Sequence, residues 1–326
     1  MQKYRNLLDV INDCDDFPRP EDNMASYTAA INSYYHFKVA SFPNTLGYVL
    51  PAVALKFANF SGSWEINENA IPKTLTLIGG HDEESRTAIV SKTINEMHVV
   101  KAFEILKKLR NELKPIYGPG GELLFSIERA AFPLLGIVAY GVHMVAYTRD
   151  DDINVDSLWV SQRGREASGY ANYLDNTVAG GIKSGESPLE ALVREAGEEA
   201  RLPADVVREH AKSCGTLSYF HVRKSSQGGE PGLLHPGVQF LYEMAVQEDW
   251  VPEPNDKEIA HFKQLRVDEV TRAILDDKVK PFTALVLIDF LVRHGIVNEA
   301  NTAEFVEISM RLHRSLEFPT SKGFSK

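Results

Sequence analysis

The chain has 326 residues, of which 44% are hydrophobic and 25% charged, a composition typical of a soluble globular protein with one large or two ordinary domains. Its formal net charge of -10 argues against a broad nucleic-acid-binding surface, because such surfaces are basic. The two cysteines, Cys14 and Cys214, lie far apart without CxxC spacing, which argues against a disulfide framework or a zinc site.

The sequence contains no targeting signal and no apolar run long enough for a membrane span. Residues 1–17 are too acidic for a transit peptide and lack the apolar core of a signal peptide. No apolar run approaches the roughly 20 residues that a membrane helix needs. We therefore expect a cytoplasmic protein with neither a membrane nor a nucleic-acid partner, and the sequence leaves a homodimer open.

The first 130 residues predict a smaller α+β domain, whose role the sequence does not indicate. Short helices are expected within residues 1–20 and over Ser26–His36, and another begins near Pro51. Helical spacing of apolar residues predicts a long helix over Thr87–Lys114. No recognisable active-site motif occurs in this region.

From residue 115 onward, strands predominate. Strands are predicted over Val138–Thr148 and Val155–Gly164, and a loop and a helix follow. Two more strands, one strand–helix unit, an apolar helix after Pro281 and a last helix after Asn301 complete the pattern. At 17 residues with internal charges, the apolar helix is better explained as part of a core than as a membrane span.

The helix near residue 190 has a clear start. Ser187 is a good N-cap, Pro188 suits the first helical position, and Glu190 lies where a capping box places its acid. At about 100° per residue, the apolar side chains gather on one face that can pack on a sheet.

Three carboxylates, Glu195, Glu198 and Glu199, are spaced i, i+3 and i+4 on a neighbouring face of this helix. Carboxylates this close repel one another, so at neutral pH the cluster needs a cation or raised pKa values. Clustered oxygen ligands suit Mg²⁺ or Mn²⁺ better than zinc. From spacing alone, a solvated acidic helix face is an alternative explanation.

The wider spacing resembles the Nudix box. Gly180 is followed after five residues by Glu186, and after seven more by Arg194-Glu195, Ala196, Gly197 and Glu198-Glu199. The glycine expected near the end of the box is Arg201 here, which puts the end of the helix in doubt more than the chemistry.

The segments LDNTVAGGI, SIERAAFPLLGIVAYGVHMVAY and PFTALVLIDFLVRHGIV are similar to the Nudix branch related to fungal thiamine pyrophosphokinase. The resemblance implies an α+β fold, a Nudix α/β/α sandwich with a mixed sheet over residues 131–326, preceded by the smaller α+β domain of residues 1–130. No kinase activity is expected, since no further domain follows residue 326. The implied reaction is pyrophosphate hydrolysis of oxidatively damaged thiamine diphosphate (oxy and oxo forms) to the monophosphate.

The resemblance also implies roles for the residues of the box. It implies Mg²⁺ or Mn²⁺ as cofactor, with Glu195 and Glu199 as metal ligands and Glu198 as ligand or water-activating base. Arg194 would pair with the carboxylates of the box and orient them, and Glu186 would brace the loop. The remaining two positions, Gly180 and Gly181, would let the loop approach the metal closely. A structural role explains each supporting residue equally well.

Candidates outside the box are less specific. Glu258, in a loop, is favoured over Glu243 as an additional metal carboxylate, although a solvated acid explains either. Arg163 and Arg165 follow a strand and are candidate phosphate contacts, and Asn176 in the entry loop is a candidate substrate contact. An exposed, solubilising pair explains the two arginines equally well, and turn formation is a sufficient explanation for Asn176 and its neighbour Asp175. Aromatic candidates for a thiamine-like ring are the four residues Tyr140, Tyr219, Phe220 and Phe282.

Two other functions compete with the thiamine diphosphate interpretation. One is a nucleotide pyrophosphatase for 8-oxo-dGTP, ADP-ribose or dinucleotides, which the sequence does not exclude. The other is a binding module without catalysis, whose expected sign is the loss of acids from the box. All the acids of the box are present here, which favours an enzyme that acts on a small-molecule diphosphate.

Overall fold

The computed structural model describes residues 3–60, 62–150, 154–165, 169–225 and 229–321. In these ranges the helices are α1 Leu7–Cys14, α2 Met24–Asn32, α3 Pro51–Asn59, α4 Glu83–Val99, α5 Pro188–Ala200, α6 Ala204–His210, α7 Val267–Leu275, α8 Pro281–Arg293 and α9 Phe305–Arg311. The strands are β1 Tyr35–Val39, β2 Gly47–Val49, β3 Trp64–Asn67, β4 Thr74–Leu77, β5 Leu113–Tyr117, β6 Leu123–Glu128, β7 Ala139–Asp150, β8 Asn154–Arg163, β9 Leu174–Asp175, β10 Val178–Gly181, β11 Lys212–Val222, β12 Leu234–Ala245 and β13 Ile259–Arg266.

The N-terminal part is a smaller α+β unit. Its four strands pair in the order β2-β1-β4-β3, with β1 and β4 parallel and the other pairs antiparallel. Helices α3 and α4 contribute Phe57 and Met97 to the core over this sheet, and Trp64 is buried there too. The antiparallel hairpin β5–β6 packs against α4 and leads into the second part of the chain.

The second part is an α/β/α sandwich around a mixed seven-stranded sheet. Five strands follow the order β11-β12-β7-β8-β13, while β10 pairs with β7 and β9 with β8. Only the β12–β7 pair among these described strands is parallel. The fold class expected from the sequence is therefore confirmed.

The central strand β7 shows why helices cover both faces of this sheet. Successive side chains of a strand point to opposite faces. Val142 and Met144 pack in the same core as α5, whereas Val145 and Tyr147 pack in the same core as α8. A strand that is buried on both faces, as β7 is from Tyr140 to Thr148, must be covered on both sides.

Helix α8 is the apolar helix predicted after Pro281. Its residues Thr283 to Leu291 are all buried, and they share a core with the N-terminal helix α1. Within the described ranges, no helix has both the length and the apolar character to cross a membrane.

The long helix predicted over Thr87–Lys114 is wrong in its second half. The helix α4 ends at Val99, and Lys101 adopts a left-handed conformation with φ 51° that an α-helix cannot contain. Phe103 and Leu106, whose spacing had favoured a helix, are buried from a short 3₁₀ turn instead. A 3₁₀ turn also places side chains three residues apart on the same side, so it can bury the same apolar pair.

Candidate active site

Helix α5 presents a carboxylate face because its other face is buried. The Ser187 hydroxyl accepts the N–H of Glu190 and caps the helix, as predicted. Leu192, Ala196 and Ala200 then pack against the sheet in the core that includes β7. The acids therefore lie at the edge of that buried face, beside β10.

Arg194 connects the charged residues of this helix to the preceding loop. Its guanidinium donates to both carboxylate oxygens of Glu186, at 2.6 and 2.9 Å, and to Glu195 at 2.7 Å. It also reaches Glu198 at 3.3 Å and the carbonyl oxygen of Gly181 at 3.0 Å. A planar guanidinium with five donors can satisfy such a set, which lysine cannot. Arg194 thus has the contacts expected of a residue that orients the carboxylates of the box.

Two of the three carboxylates carry an electrostatic penalty. Burial raises the pKa of Glu195, and this effect exceeds the lowering by Arg194. Burial, and then the charge of Glu195, raise the pKa of Glu199 well above its usual value. One oxygen of Glu199 accepts the backbone N–H of Ala179 at 3.0 Å. Buried carboxylates close to each other are stabilised as anions by a bound cation.

Gly180 is required by close approach. A Cβ atom at position 180 would lie 1.9 Å from Cδ of Glu195, so the bare strand backbone makes room for the carboxylate. Gly181 is equally tight, since a Cβ there would lie 2.2 Å from Nζ of Lys114. Both glycines belong to β10, which pairs with β7.

The donor set fits a hard divalent cation. Glu195, Glu198 and Glu199 offer carboxylate oxygens, the ligands that Mg²⁺ and Mn²⁺ prefer. In the part of the chain that the structure describes, no three such side chains already converge on one point. The side chain of Glu198 is 52% exposed and makes only the long bond to Arg194, so it can turn toward the other two. Glu195 and Glu199 are held in place from the start.

Helix α5 ends at Ala200, directly before Arg201, the position where the motif has a glycine. Arg201 adopts the left-handed conformation with φ 53°, and its backbone N–H donates to the carbonyl oxygen of Ala196. Its side chain reaches Asn255 and Glu253 on the surface. The departure from the motif at this position therefore leaves the end of the helix unchanged.

We expect Arg201→Gly to raise the free energy of unfolding by up to about 1 kcal/mol. A side chain in the left-handed region costs roughly 1–2 kcal/mol, partly offset by the greater chain entropy of glycine. The exposed ion pair that is lost contributes little. Chemical denaturation should show the higher free energy of unfolding, while the rate of hydrolysis stays unchanged. A lower free energy of unfolding would show that the surface contacts of Arg201 matter more than its backbone strain.

The acidic helix lines one side of a cleft of about 350 Å³. Of the sequence candidates, Arg163 and Glu258 also line it. The side chain of Glu258 is 47% exposed, and its carboxylate lies 3.7 Å from Nη2 of Arg163. The structure therefore brings Glu258 to the same cleft as the carboxylates of the box.

Arg165 and Asn176 are not among the described residues that line the cleft. Arg165 is exposed. Asn176 is buried, and its Nδ2 lies 2.7 Å from Nδ1 of His143, which does line the cleft. A substrate contact from either residue stays a prediction.

Asp175 has a larger role than the turn that its sequence suggests. It is buried and accepts from Arg163 at 3.2 Å, from Lys280 at 2.9 Å and from the hydroxyl of Thr283. Burial opposes its ionisation, but Lys280 and then Arg163 hold the pKa of Asp175 below its usual value. Arg163 and Lys280 both line the cleft, so Asp175 fixes two cations in its wall.

Part of the cleft lining is aromatic. Tyr219 and Phe282 line it and stack with ring centroids 4.1 Å apart and planes 8° apart. His235 lies beside them, and burial lowers its pKa to about 3, so its ring is neutral at physiological pH. Tyr140 also lines the cleft, whereas Phe220 is fully buried elsewhere and stacks on Phe17.

Glu243 lies outside the cleft lining and pairs with helix α8. Its carboxylate accepts from Arg293 at 2.9 Å and lies 3.0 Å from Nε2 of His294. Burial opposes ionisation, but bonds from His294 and Arg293 lower the pKa of Glu243 to about 2. These contacts account for the residue without a metal.

We expect Glu243→Gln to lower the free energy of unfolding at pH 7 by about 2 kcal/mol, with activity unchanged. The folded-state pKa of about 2 lies below the ordinary 4.5, so this stabilisation is present above pH 4.5 and is lost as pH falls toward 2. Denaturation at pH 7 and pH 3 should show the difference between wild type and variant shrinking at the lower pH. A difference that stays constant with pH would contradict this origin.

Several residues of the cleft were missed by sequence reasoning. Those from the chain before β7 include Lys114 on β5, Arg129 directly after β6, and Phe132. Lys280 and Gln239 come from the other side. No spacing pattern connects these positions to the box, because only the tertiary fold brings them together.

Two family models match this chain. Residues 139–286 match the NUDIX domain, and residues 20–139 match a domain of unknown function, DUF4743. The first match contains the cleft-facing helix with its carboxylates. The second contains the hairpin that supplies Lys114 and Arg129. A domain boundary at residue 130 and the roles of individual site residues stay predictions.

Similar proteins extend across both regions. The Saccharomyces cerevisiae protein YJR142W, which is described as uncharacterised, is 30% identical over 73% of this chain and 71% of its own length. The chloroplastic Nudix hydrolase 20 of Arabidopsis thaliana is 33% identical over 70% of this chain, which spans 58% of that relative. A crystal structure of DR0079 from Deinococcus radiodurans is 22% identical, with a TM-score of 0.39, over 54% of this chain and 97% of its own. The two domain matches and the yeast and Arabidopsis sequence relatives show that the chain belongs to the Nudix superfamily, as a hydrolase of the diphosphate-cleaving type whose NUDIX domain follows a DUF4743 domain.

Proposed function

We propose that this protein is a Mg²⁺-dependent pyrophosphatase, also active with Mn²⁺, that hydrolyses oxidatively damaged thiamine diphosphate to the monophosphate. The observation that carries the proposal is that one cleft is lined by two unlike groups of side chains. One group is the carboxylates of α5, and the other is the stacked pair Tyr219 and Phe282. A metal site suits a diphosphate, and an uncharged aromatic wall suits a flat heterocycle.

In this proposal Glu195 and Glu199 hold the metal ion, because both are buried and fixed by hydrogen bonds. When bound, the ion neutralises phosphate oxygens and makes water more acidic. Glu198 is the most exposed carboxylate of the three, and it accepts the proton of the attacking water or joins the ligands. Arg194 keeps the carboxylates apart and oriented, and Glu186 anchors Arg194. Glu258 completes the acidic side from the far wall.

The test is hydrolysis of a panel of diphosphates with Mg²⁺ and with Mn²⁺, in which the phosphorylated products of each substrate are separated and quantified by chromatography. Oxythiamine and oxothiamine diphosphate should turn over with a higher kcat/KM than thiamine diphosphate. The panel also contains 8-oxo-dGTP, ADP-ribose and dinucleotides, and preference for one of these would replace the thiamine substrate by a nucleotide. Lack of turnover across the whole panel would leave a binding module as the remaining explanation.

Glu198→Gln is the matched variant for the hydrolytic role. The side chain is exposed, so the variant should fold normally while turnover falls about a hundredfold or more. Unchanged turnover would remove Glu198 from the mechanism. A cytoplasmic location and a homodimer remain parts of the proposal, to be checked by fractionation and by light scattering.

A further inference from the structure

The β5–β6 hairpin of the DUF4743 region carries a compact charged cluster. Glu112 precedes the hairpin, Lys114 lies on β5, and Arg129 follows β6. One oxygen of Glu112 lies 2.5 Å from Nζ of Lys114, and the other accepts from Nη1 of Arg129 at 3.2 Å. One carboxylate is thus shared by two cations, and the cluster has a net positive charge.

This cluster lies directly beside the carboxylates of α5. Nζ of Lys114 donates to the carbonyl oxygen of Ile182 at 3.0 Å, and it nearly touches the backbone of Gly181. The preceding residue, Gly180, packs on the carboxylate of Glu195. The width of strand β10 therefore separates the cations from the acids. All three charged residues of the cluster line the cleft.

The two cations have different surroundings. Lys114 is buried and fixed by its two partners. Arg129 is 45% exposed in its side chain, and Glu112 is the only acceptor for that side chain among the residues that the structure describes. Its remaining N–H groups are available to a ligand in the cleft. A guanidinium is the preferred partner of phosphate oxygens because it can form two parallel bonds.

If only the acidic helix and a metal ion held a diphosphate, the negative charge at the site would exceed the positive charge. The acids of the box outnumber Arg194, and a diphosphate adds further negative charge. Arg163 and Lys280, also in the wall, share the carboxylate of the buried Asp175, and the buried Arg163 also donates to the carbonyl oxygen of Gly169. The hairpin therefore provides a cationic cluster in the cleft wall, next to β10, in which Arg129 keeps unused donors.

We propose that Arg129 and Lys114 bind the phosphate groups of the substrate opposite the carboxylates of α5, so that the DUF4743 region completes the active site. The proposal rests on the proposed function only in requiring a diphosphate substrate. Arg129 makes the direct contact. Lys114 provides a fixed charge, and Glu112 holds the two cations at the mouth of the cleft.

Binding of inorganic pyrophosphate to the full-length chain tests this independently of the thiamine moiety. Calorimetry with and without Mg²⁺ should show that Arg129→Ala weakens binding by about tenfold to a hundredfold. Arg129→Lys should retain part of the affinity, since the charge stays but the paired donors are lost. The matched control is Arg110→Ala, an exposed arginine on the same segment that does not line the cleft.

Equal pyrophosphate affinity of Arg129→Ala and wild type would overturn the proposal, as would wild-type protein that does not bind pyrophosphate. Lys114→Met is a second variant, which should also weaken pyrophosphate binding. Because Lys114 is buried, this variant could fail to fold, and the exposed Arg129→Ala then decides the question. If Arg129→Ala binds pyrophosphate like wild type and still hydrolyses damaged thiamine diphosphate, the proposed function holds but this phosphate site is wrong. If pyrophosphate binding depends on Arg129 but the wild type does not hydrolyse damaged thiamine diphosphate, the phosphate site holds and the substrate is a different diphosphate.

Discussion

We expect Glu199→Gln to lower kcat/KM about a thousandfold, equivalent to about 4 kcal/mol of transition-state stabilisation. Glutamine keeps the shape and can still accept the N–H of Ala179, so the fold is preserved. The substitution removes the most buried carboxylate of the box and with it one fixed metal ligand. Steady-state kinetics at saturating Mg²⁺ measure the loss.

The same variant should be more stable than wild type in the absence of metal. Burial and the charge of Glu195 raise the pKa of Glu199, so the folded protein holds a proton that the unfolded chain releases. The stability of wild type therefore falls as pH rises above about 4.5, whereas the variant lacks this contribution. Added Mg²⁺ should stabilise wild type and leave the variant nearly unchanged. Retention of both activity and Mg²⁺ stabilisation would show that Glu199 is not a ligand.

The contacts of helix α5 could be predicted because they are local. Ser187, Arg194 and the three glutamates lie within thirteen positions, and helix geometry alone places them together. The end of the helix was in doubt because of Arg201, and the structure keeps it there because a left-handed residue costs only about 1–2 kcal/mol. The surrounding packing then tolerates it.

Contacts across the chain could not be predicted in the same way. The hairpin residues Lys114 and Arg129 reach the cleft from 66 and 51 positions before Gly180, separations over which no periodicity operates. Asp175 reads as a turn residue because its partners Arg163 and Lys280 are distant in sequence. In α4, apolar spacing alone did not distinguish a continuing helix from a 3₁₀ turn that buries the same side chains.

The buried ion cluster at Asp175 is the basis of the largest expected change in stability. We expect Asp175→Asn to lower the free energy of unfolding by about 3–5 kcal/mol, because it leaves Arg163 and Lys280 without their shared counter-charge in a low-dielectric wall. Urea denaturation at pH 7 measures the loss. The cations should also move in the cleft, so residual activity should fall even where the variant is folded.

A double variant separates the charge from the packing. Lys280→Met removes one of the two cations, so Asp175→Asn combined with it should cost less than the sum of the two single changes. Thr283→Val, which removes only the hydroxyl donor to Asp175, should cost about 1 kcal/mol and serves as the neutral comparison.

The pKa of Asp175 is lowered in the folded protein, so the contribution of its charge to stability is present above pH 3.8 and disappears as pH falls below that value. The difference between wild type and Asp175→Asn should therefore shrink in acid, and purely additive, pH-independent losses would show that Asp175 acts through shape and not through its charge.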